Sequence, residues 1–176
     1  IADISHEIAP QDVASGSFVL GSVHRYFPDG AVHVAVVDPG VGTARRAIAV
    51  ASSRATYVSP DNGLLSFALA DYGCEARLEG VSTPAPVVRE SPFPLRMANL
   101  PAQLHAVALT ESRYWLPDRS ATFHGRDVFA PVGAHLAKGI PLSALGKPIS
   151  SVALYVLPKL QTQPDGSLVA TVLHRD

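Results

Sequence analysis

The sequence predicts an α/β domain with a central, mainly parallel sheet over residues 1–150, followed by the start of a β-rich domain over 151–176. Three observations carry this. β-branched runs empty abruptly into glycine loops, as at Val36-Val37-Asp38-Pro39-Gly40, and stretches of helical period separate them. After Pro148 the pattern changes to two apolar runs flanking Pro164-Asp165-Gly166, the mark of a hairpin. The 176 residues are 47% hydrophobic, enough to bury a continuous core.

Ile1-Ala2-Asp3-Ile4 reads as a strand, and Asp12 as the cap of a helix on which Val13, Phe18, Val19, Val23 and Phe27 recur before Pro28-Asp29-Gly30 stops it. Ala31 to Val37 is a buried strand, and Ala47–Ala51 and Thr56–Val58 are two more. Pro60-Asp61-Asn62-Gly63 turns into a helix carrying Leu64, Leu65, Phe67, Ala68 and Leu69. From Val81 to Leu104 five prolines interrupt any period, which predicts a long loop or insertion. Structure resumes at Val107–Leu109, and Val128–Ala137 forms a helix ended by Lys138-Gly139. The chain opens in strand-like sequence without an initiating Met or a polar leader and closes on His174-Arg175-Asp176 straight after an apolar run, so both ends read as cut from something longer.

Charged residues are 16% of the chain and the formal net charge is −1, which gives no electrostatic footprint for nucleic acid or an anionic membrane. No apolar run reaches the ~20 residues of a membrane helix. A single cysteine, Cys74, reads as a buried small hydrophobe in a reducing compartment, and the expected location is the cytoplasm. These exclusions leave a small-molecule site.

Three polar clusters fall on predicted loops: Asp38 with Arg45 and Arg46, Asp61 with Asn62, and His124 with Arg126 and Asp127. Singly, each is explained as a turn, a cap or a local ion pair. Together, Asp, Arg and His make a workable apparatus for a water proton: the histidine accepts or relays it, the carboxylate orients a partner, and the arginine stabilises developing hydroxide. The glycine loop lacks the Lys-Ser/Thr of a phosphate loop, and neither a Gly-x-Ser-x-Gly elbow nor a zinc-protease histidine pair occurs. Tyr114 and Trp115 could stack on a purine, but a packed aromatic is the commoner outcome, and the remaining histidines read as structural or surface residues.

The same residues resemble a known family. Asp3-Ile4-Ser5-His6-Glu7-Ile8, Tyr26-Phe27-Pro28, the run Val32 to Thr43 with Arg45-Arg46, Pro60-Asp61-Asn62-Gly63-Leu64-Leu65 and Thr122-Phe123-His124-Gly125-Arg126-Asp127-Val128-Phe129-Ala130-Pro131 are similar, in order, to the S-adenosylmethionine hydroxide adenosyltransferases. The resemblance implies an N-terminal α/β sandwich-like domain and a C-terminal β-barrel domain, assembled as a homotrimer that encloses S-adenosylmethionine between subunits. It implies a hydrolase in which water attacks C5′ of the ribose to give adenosine and L-methionine, with no metal or other cofactor. The water-activating triad falls on Asp38, Arg45 and His124. Substrate contacts are expected at Asp61, Asn62, Gly125, Arg126 and Asp176, the last matching the first residue of an Asp-x-Phe-Gly-Asn motif for the methionine end.

The sequence departs from the family pattern in having no Thr-Asp-Phe-Gly-like strand before Ile1, in ending at Asp176, and in the proline-rich stretch. Two other readings follow: a binding module without turnover, suggested by those departures, and a halogenase of the related fluorinating and chlorinating type. Asp38 and His124 stand where halogenases carry other residues, which favours water.

Overall fold

The computed structural model describes residues 1–77 and 93–173. It contains α1 (Val13–Val23), β1 (Ala31–Val34), β2 (Ala47–Ala51), β3 (Ala55–Pro60), α2 (Ser66–Ala70), β4 (Leu95–Asn99), β5 (His105–Leu109), α3 (Ala130–Ala137), β6 (Gly146–Ile149), β7 (Ser151–Tyr155), β8 (Gln161–Thr162) and β9 (Leu168–Val169). The α/β class holds. The five-stranded sheet has the order β1-β3-β2-β5-β6 and is mixed: β1 runs parallel to β3, whereas β3–β2, β2–β5 and β5–β6 are antiparallel. The expected parallel pairing is thus confined to one edge, because β2 leads into β3 through a tight Ser52–Arg54 turn that reverses the chain.

Strand alternation divides the core. Ile48, Val50, Tyr57 and Ala106 point to one face, where they meet Leu20 of α1, Leu69 of α2 and Val152 and Leu154 of β7. Ala49, Val58, Val107 and Leu109 point to the other, against Val128, Phe129 and Val132. Tyr57, Ile48, Val50 and Val58 are fully buried. Helix α1 starts where Asp12 accepts from the Ser15 backbone N–H at 2.9 Å, as its cap position requires. Cys74 is buried in the first face, and desolvation pushes its thiol up to about 11, so it behaves as the apolar residue expected of it.

Four elements differ from expectation. Ile1–Ile4 forms no strand; both isoleucines are exposed, and the segment has no neighbouring ladder to satisfy its backbone. The strand expected from Ala31 to Val37 stops at Val34, with one further backbone bond from Ala35 to the Val58 carbonyl at 3.0 Å. Within the proline-rich stretch, Leu95–Asn99 is strand β4, bracketed by Pro94 and Pro101 rather than interrupted by them; residues 81–92 of that stretch lie outside the described residues. The run Val152–Leu157 does not pair with Ser167–Leu173. Residues 151–155 form β7, which pairs antiparallel with β4 and joins the main core. The hairpin around Pro164-Asp165-Gly166 is instead the short pair β8–β9. The 1–150 and 151–176 division remains a proposal about the longer fold.

Gly146 shows how tightly β6 closes the sheet. A Cβ there would sit 1.8 Å from the Ala108 carbonyl oxygen and 2.7 Å from the Thr110 amide nitrogen. Both are backbone atoms and cannot swing away. Gly146→Ala is therefore expected to lower the unfolding free energy by about 1–3 kcal/mol, read from denaturant midpoints at unchanged m-value. An unchanged midpoint would refute this packing.

Candidate functional site

The three residues proposed for water activation meet. Asp38 follows the end of β1, Arg45 precedes β2, and His124 comes from the loop before α3, 79 positions after Arg45 in the chain. Arg45 Nε donates to Asp38 Oδ1 at 2.8 Å and Arg45 Nη2 donates to Asp38 Oδ2, a fork-to-fork pair. The same Nη2 lies 3.1 Å from His124 Nδ1. A guanidinium has no acceptor, so Nδ1 is the accepting nitrogen and the neutral ring carries its proton on Nε2. The Asp38 and Arg45 side chains are only 6% and 4% exposed, which strengthens their attraction and shields it from salt.

The local sequence builds this. The loop from Asp38 to Arg45 folds on itself through Val41 N–H to the Asp38 carbonyl at 3.2 Å and Thr43 Oγ1 to the Gly40 carbonyl at 2.6 Å. Gly42 adopts φ +78°, and a Cβ there would stand 3.0 Å from the Ala121 carbonyl oxygen, so only glycine suits a loop this close to the His124 segment. Below the pair, the Phe129 ring lies 5.2 Å from Arg45 Cζ, and Phe129 is fully buried. His124 sits at the start of a π-helical turn, Gly125–Phe129, that runs into α3. Such turns displace one residue from the helical register and commonly accompany functional sites.

Burial holds the His124 ring below its ordinary 6.5, and the Arg45 and Arg119 charges add to this against opposing pulls from Asp38 and Asp127. The ring is therefore neutral at neutral pH and able to take a proton.

The other expected contacts fall into two groups. Gly125 and Arg126 adjoin His124, and Arg126 is largely exposed while donating to the buried Asp127 from Nε at 2.6 Å. That bond, and a second from the Ser120 N–H at 2.7 Å, hold the Asp127 carboxyl below the usual carboxylate range. The Phe123 ring lies 5.1 Å from Arg126 Cζ and is itself exposed. Asp61 and Asn62 are buried, and their polar atoms are engaged within the protein. Asp61 accepts from Arg46 Nε at 2.8 Å and from the Ala153 N–H at 2.7 Å. Asn62 donates to the Val37 carbonyl at 2.9 Å and accepts from the Leu64 N–H at 3.3 Å. Burial pushes the Asp61 carboxyl up, against the pull of Arg46. Asp176 lies outside the described residues.

Sequence reasoning missed Phe129 as the floor under Arg45, although it belongs to the same motif as His124. It also gave Arg46 no role distinct from Arg45; the adjacent basic pair was the available signal. Tyr114 and Trp115 pack against the second face of the core, Tyr114 edge-on to His135 at 5.1 Å between ring centroids. Among the described residues no group of three metal-ligating side chains converges, and no helix is long and apolar enough to cross a membrane.

The chain is similar to several known proteins. Residues 1–96 and 92–146 match the family described as SAM hydroxide adenosyltransferase N-terminal domain. A Thermus thermophilus protein named (R)-S-adenosyl-L-methionine hydrolase is 43% identical over 171 residues, covering 96% of this chain and 58% of its own length. A fluorinase from an Actinoplanes species is 25% identical over 201 residues, covering 58% of that protein. The crystal structure of an uncharacterized conserved protein from Thermotoga maritima superposes with a TM-score of 0.72 at 31% identity, covering 91% of this chain and 51% of that one. The chain thus spans just over half the length of each of these three proteins.

Proposed function

Since the chain belongs to the SAM hydroxide adenosyltransferase family, we propose that the protein it represents hydrolyses S-adenosyl-L-methionine to adenosine and L-methionine. The observation that carries this is the contact of Asp38, Arg45 and His124 across 86 positions of sequence, counted from 38 to 124. A water inserted between Arg45 Nη2 and His124 Nδ1, in place of their direct 3.1 Å contact, has a donor for its oxygen and an acceptor for its proton. Its oxygen attacks C5′ from the side opposite sulfur. The C–S bonding pair leaves with sulfur as neutral methionine, and the water proton passes to His124. A sulfonium is already an excellent leaving group, so the protein's task is to align and desolvate the nucleophile, and the reaction needs no metal or redox cofactor.

Gly125 and Arg126, beside His124, and Asp176 further along the chain are assigned to substrate contact; Asp61 and Asn62 border the same site from behind the Asp38 loop. The exposed Phe123, Leu116 and Val36 near the triad favour a neighbouring subunit as the cover, in keeping with a homotrimer whose site lies at the interface. The single buried thiol accords with a cytoplasmic setting. The test is incubation of the full chain with the R and S sulfonium epimers of S-adenosylmethionine, with and without halide, followed by chromatography. Adenosine and methionine independent of halide are expected. A halide-dependent 5′-haloadenosine, or binding without turnover, would overturn the reading.

A further inference from the structure

The loop that carries Asp38 and Arg45 is gripped at both ends by one dipeptide. Val37, immediately before Asp38, gives its carbonyl to Asn62 Nδ2 at 2.9 Å. Arg46, immediately after Arg45, is held by Asp61 three ways: the Asp61 N–H donates to the Arg46 carbonyl at 2.9 Å, and Arg46 Nε and Nη2 both donate to Asp61 Oδ2, the former at 2.8 Å. Asp61 and Asn62 are 5% and 3% exposed, so these bonds compete little with water. The dipeptide is itself fixed. The Ala153 N–H of β7 donates to Asp61 Oδ1 at 2.7 Å, Arg46 Nη2 donates to the Ser151 carbonyl at 2.9 Å, and the Leu64 N–H donates to Asn62 Oδ1 at 3.3 Å.

We propose that Asp61 and Asn62 are positioning residues that clamp the two ends of the 38–45 loop and so set the Asp38–Arg45–His124 contact, rather than direct ligands of substrate. The hydrogen-bond inventory supports this. Each Asp61 oxygen already has a partner, and Asn62 has its donor and acceptor ends both in use. Turning either toward a substrate would leave a buried backbone group or a guanidinium unpaired. The span between the gripped residues is also the whole loop: nothing but Asp38 through Arg45 lies between Val37 and Arg46. The inference deepens the proposed hydrolysis and rests on it for its kinetic arm.

Asn62→Ala and Asp61→Asn test it in the full chain. Misplacing the catalytic pair by a fraction of an ångström is expected to lower kcat about 10- to 100-fold while KM for S-adenosylmethionine stays within about 2-fold. Arg45 lowers the His124 titration more than Asp38, on the same loop, raises it, so a slackened loop also moves it upward toward 6.5. Removing the Asp61 charge would by itself move it downward, so an upward shift in Asp61→Asn reports a displaced Arg45. NMR titration of the His124 ring reads this without turnover, which separates the clamp from the hydrolysis: wild type inert toward substrate sinks the hydrolysis alone. A raised KM with kcat retained identifies substrate ligands and overturns the clamp. So does an unmoved His124 titration in both variants, or a loss of thermal stability with kcat intact below the melting temperature. Should Asn62→Ala not fold, Asp61→Asn, which keeps an acceptor for the Ala153 N–H, carries the test.

Discussion

Arg45→Ala is expected to lower turnover of S-adenosylmethionine by about 10²- to 10³-fold, the usual effect of deleting one preorganised donor to developing negative charge. It is also expected to destabilise the chain by about 3–5 kcal/mol. The side chain is 4% exposed and forks onto Asp38, itself 6% exposed, so its removal strands a buried carboxylate and empties the space above Phe129. Arg45→Lys restores little of either, since a lysine ammonium cannot reach both Asp38 oxygens in one plane and touch His124 Nδ1 as well. Steady-state kinetics and denaturant titration on the same samples check both halves. Full activity in Arg45→Ala would remove the arginine from the mechanism.

His124→Ala is expected to lower kcat by about 10²- to 10⁴-fold, the range associated with losing a positioned base. The pH dependence follows from the direction of the ring's shift. The base works when neutral, and burial together with Arg45 lowers its protonation below 6.5. The wild-type profile therefore rises with pH along an acid limb centred below 6.5 and is flat through neutrality. Below that limb the imidazolium accumulates and activity falls. In His124→Ala the residual rate lacks the limb. An acid limb centred above 6.5, or one retained in His124→Ala, would assign the base elsewhere.

The parts of the site that the sequence made legible are those that follow from local chemistry. A β-branched run ending in Asp38-Pro39-Gly40 places a carboxylate in a loop at a strand end, and the helix of Ala130–Ala137 places His124 at its entrance. That Asp38, Arg45 and His124 touch was carried by the family resemblance, because a separation of 79 residues between Arg45 and His124 leaves no trace in periodicity. The strand pairing was less legible for the same reason. β7 and β4 lie more than 50 residues apart and pair through backbone atoms, to which side-chain pattern is indifferent. Pro94 and Pro101 were read as breakers, yet proline suits the ends of a strand, and both sit there. The family resemblance implies substrate contacts at Asp61 and Asn62, and their position in a turn reads as a cap; the hydrogen bonds they make within the protein come from segments far apart in sequence and leave no local pattern.

The central claim is that water, activated at Asp38, Arg45 and His124, is the nucleophile at C5′. Turnover in ¹⁸O-labelled water tests it most directly, with mass spectrometry of the adenosine formed. One solvent oxygen at the 5′ position of every adenosine, with methionine unlabelled, is the predicted result. Adenosine whose 5′ oxygen does not come from solvent, or a product carrying halide at C5′, would contradict it.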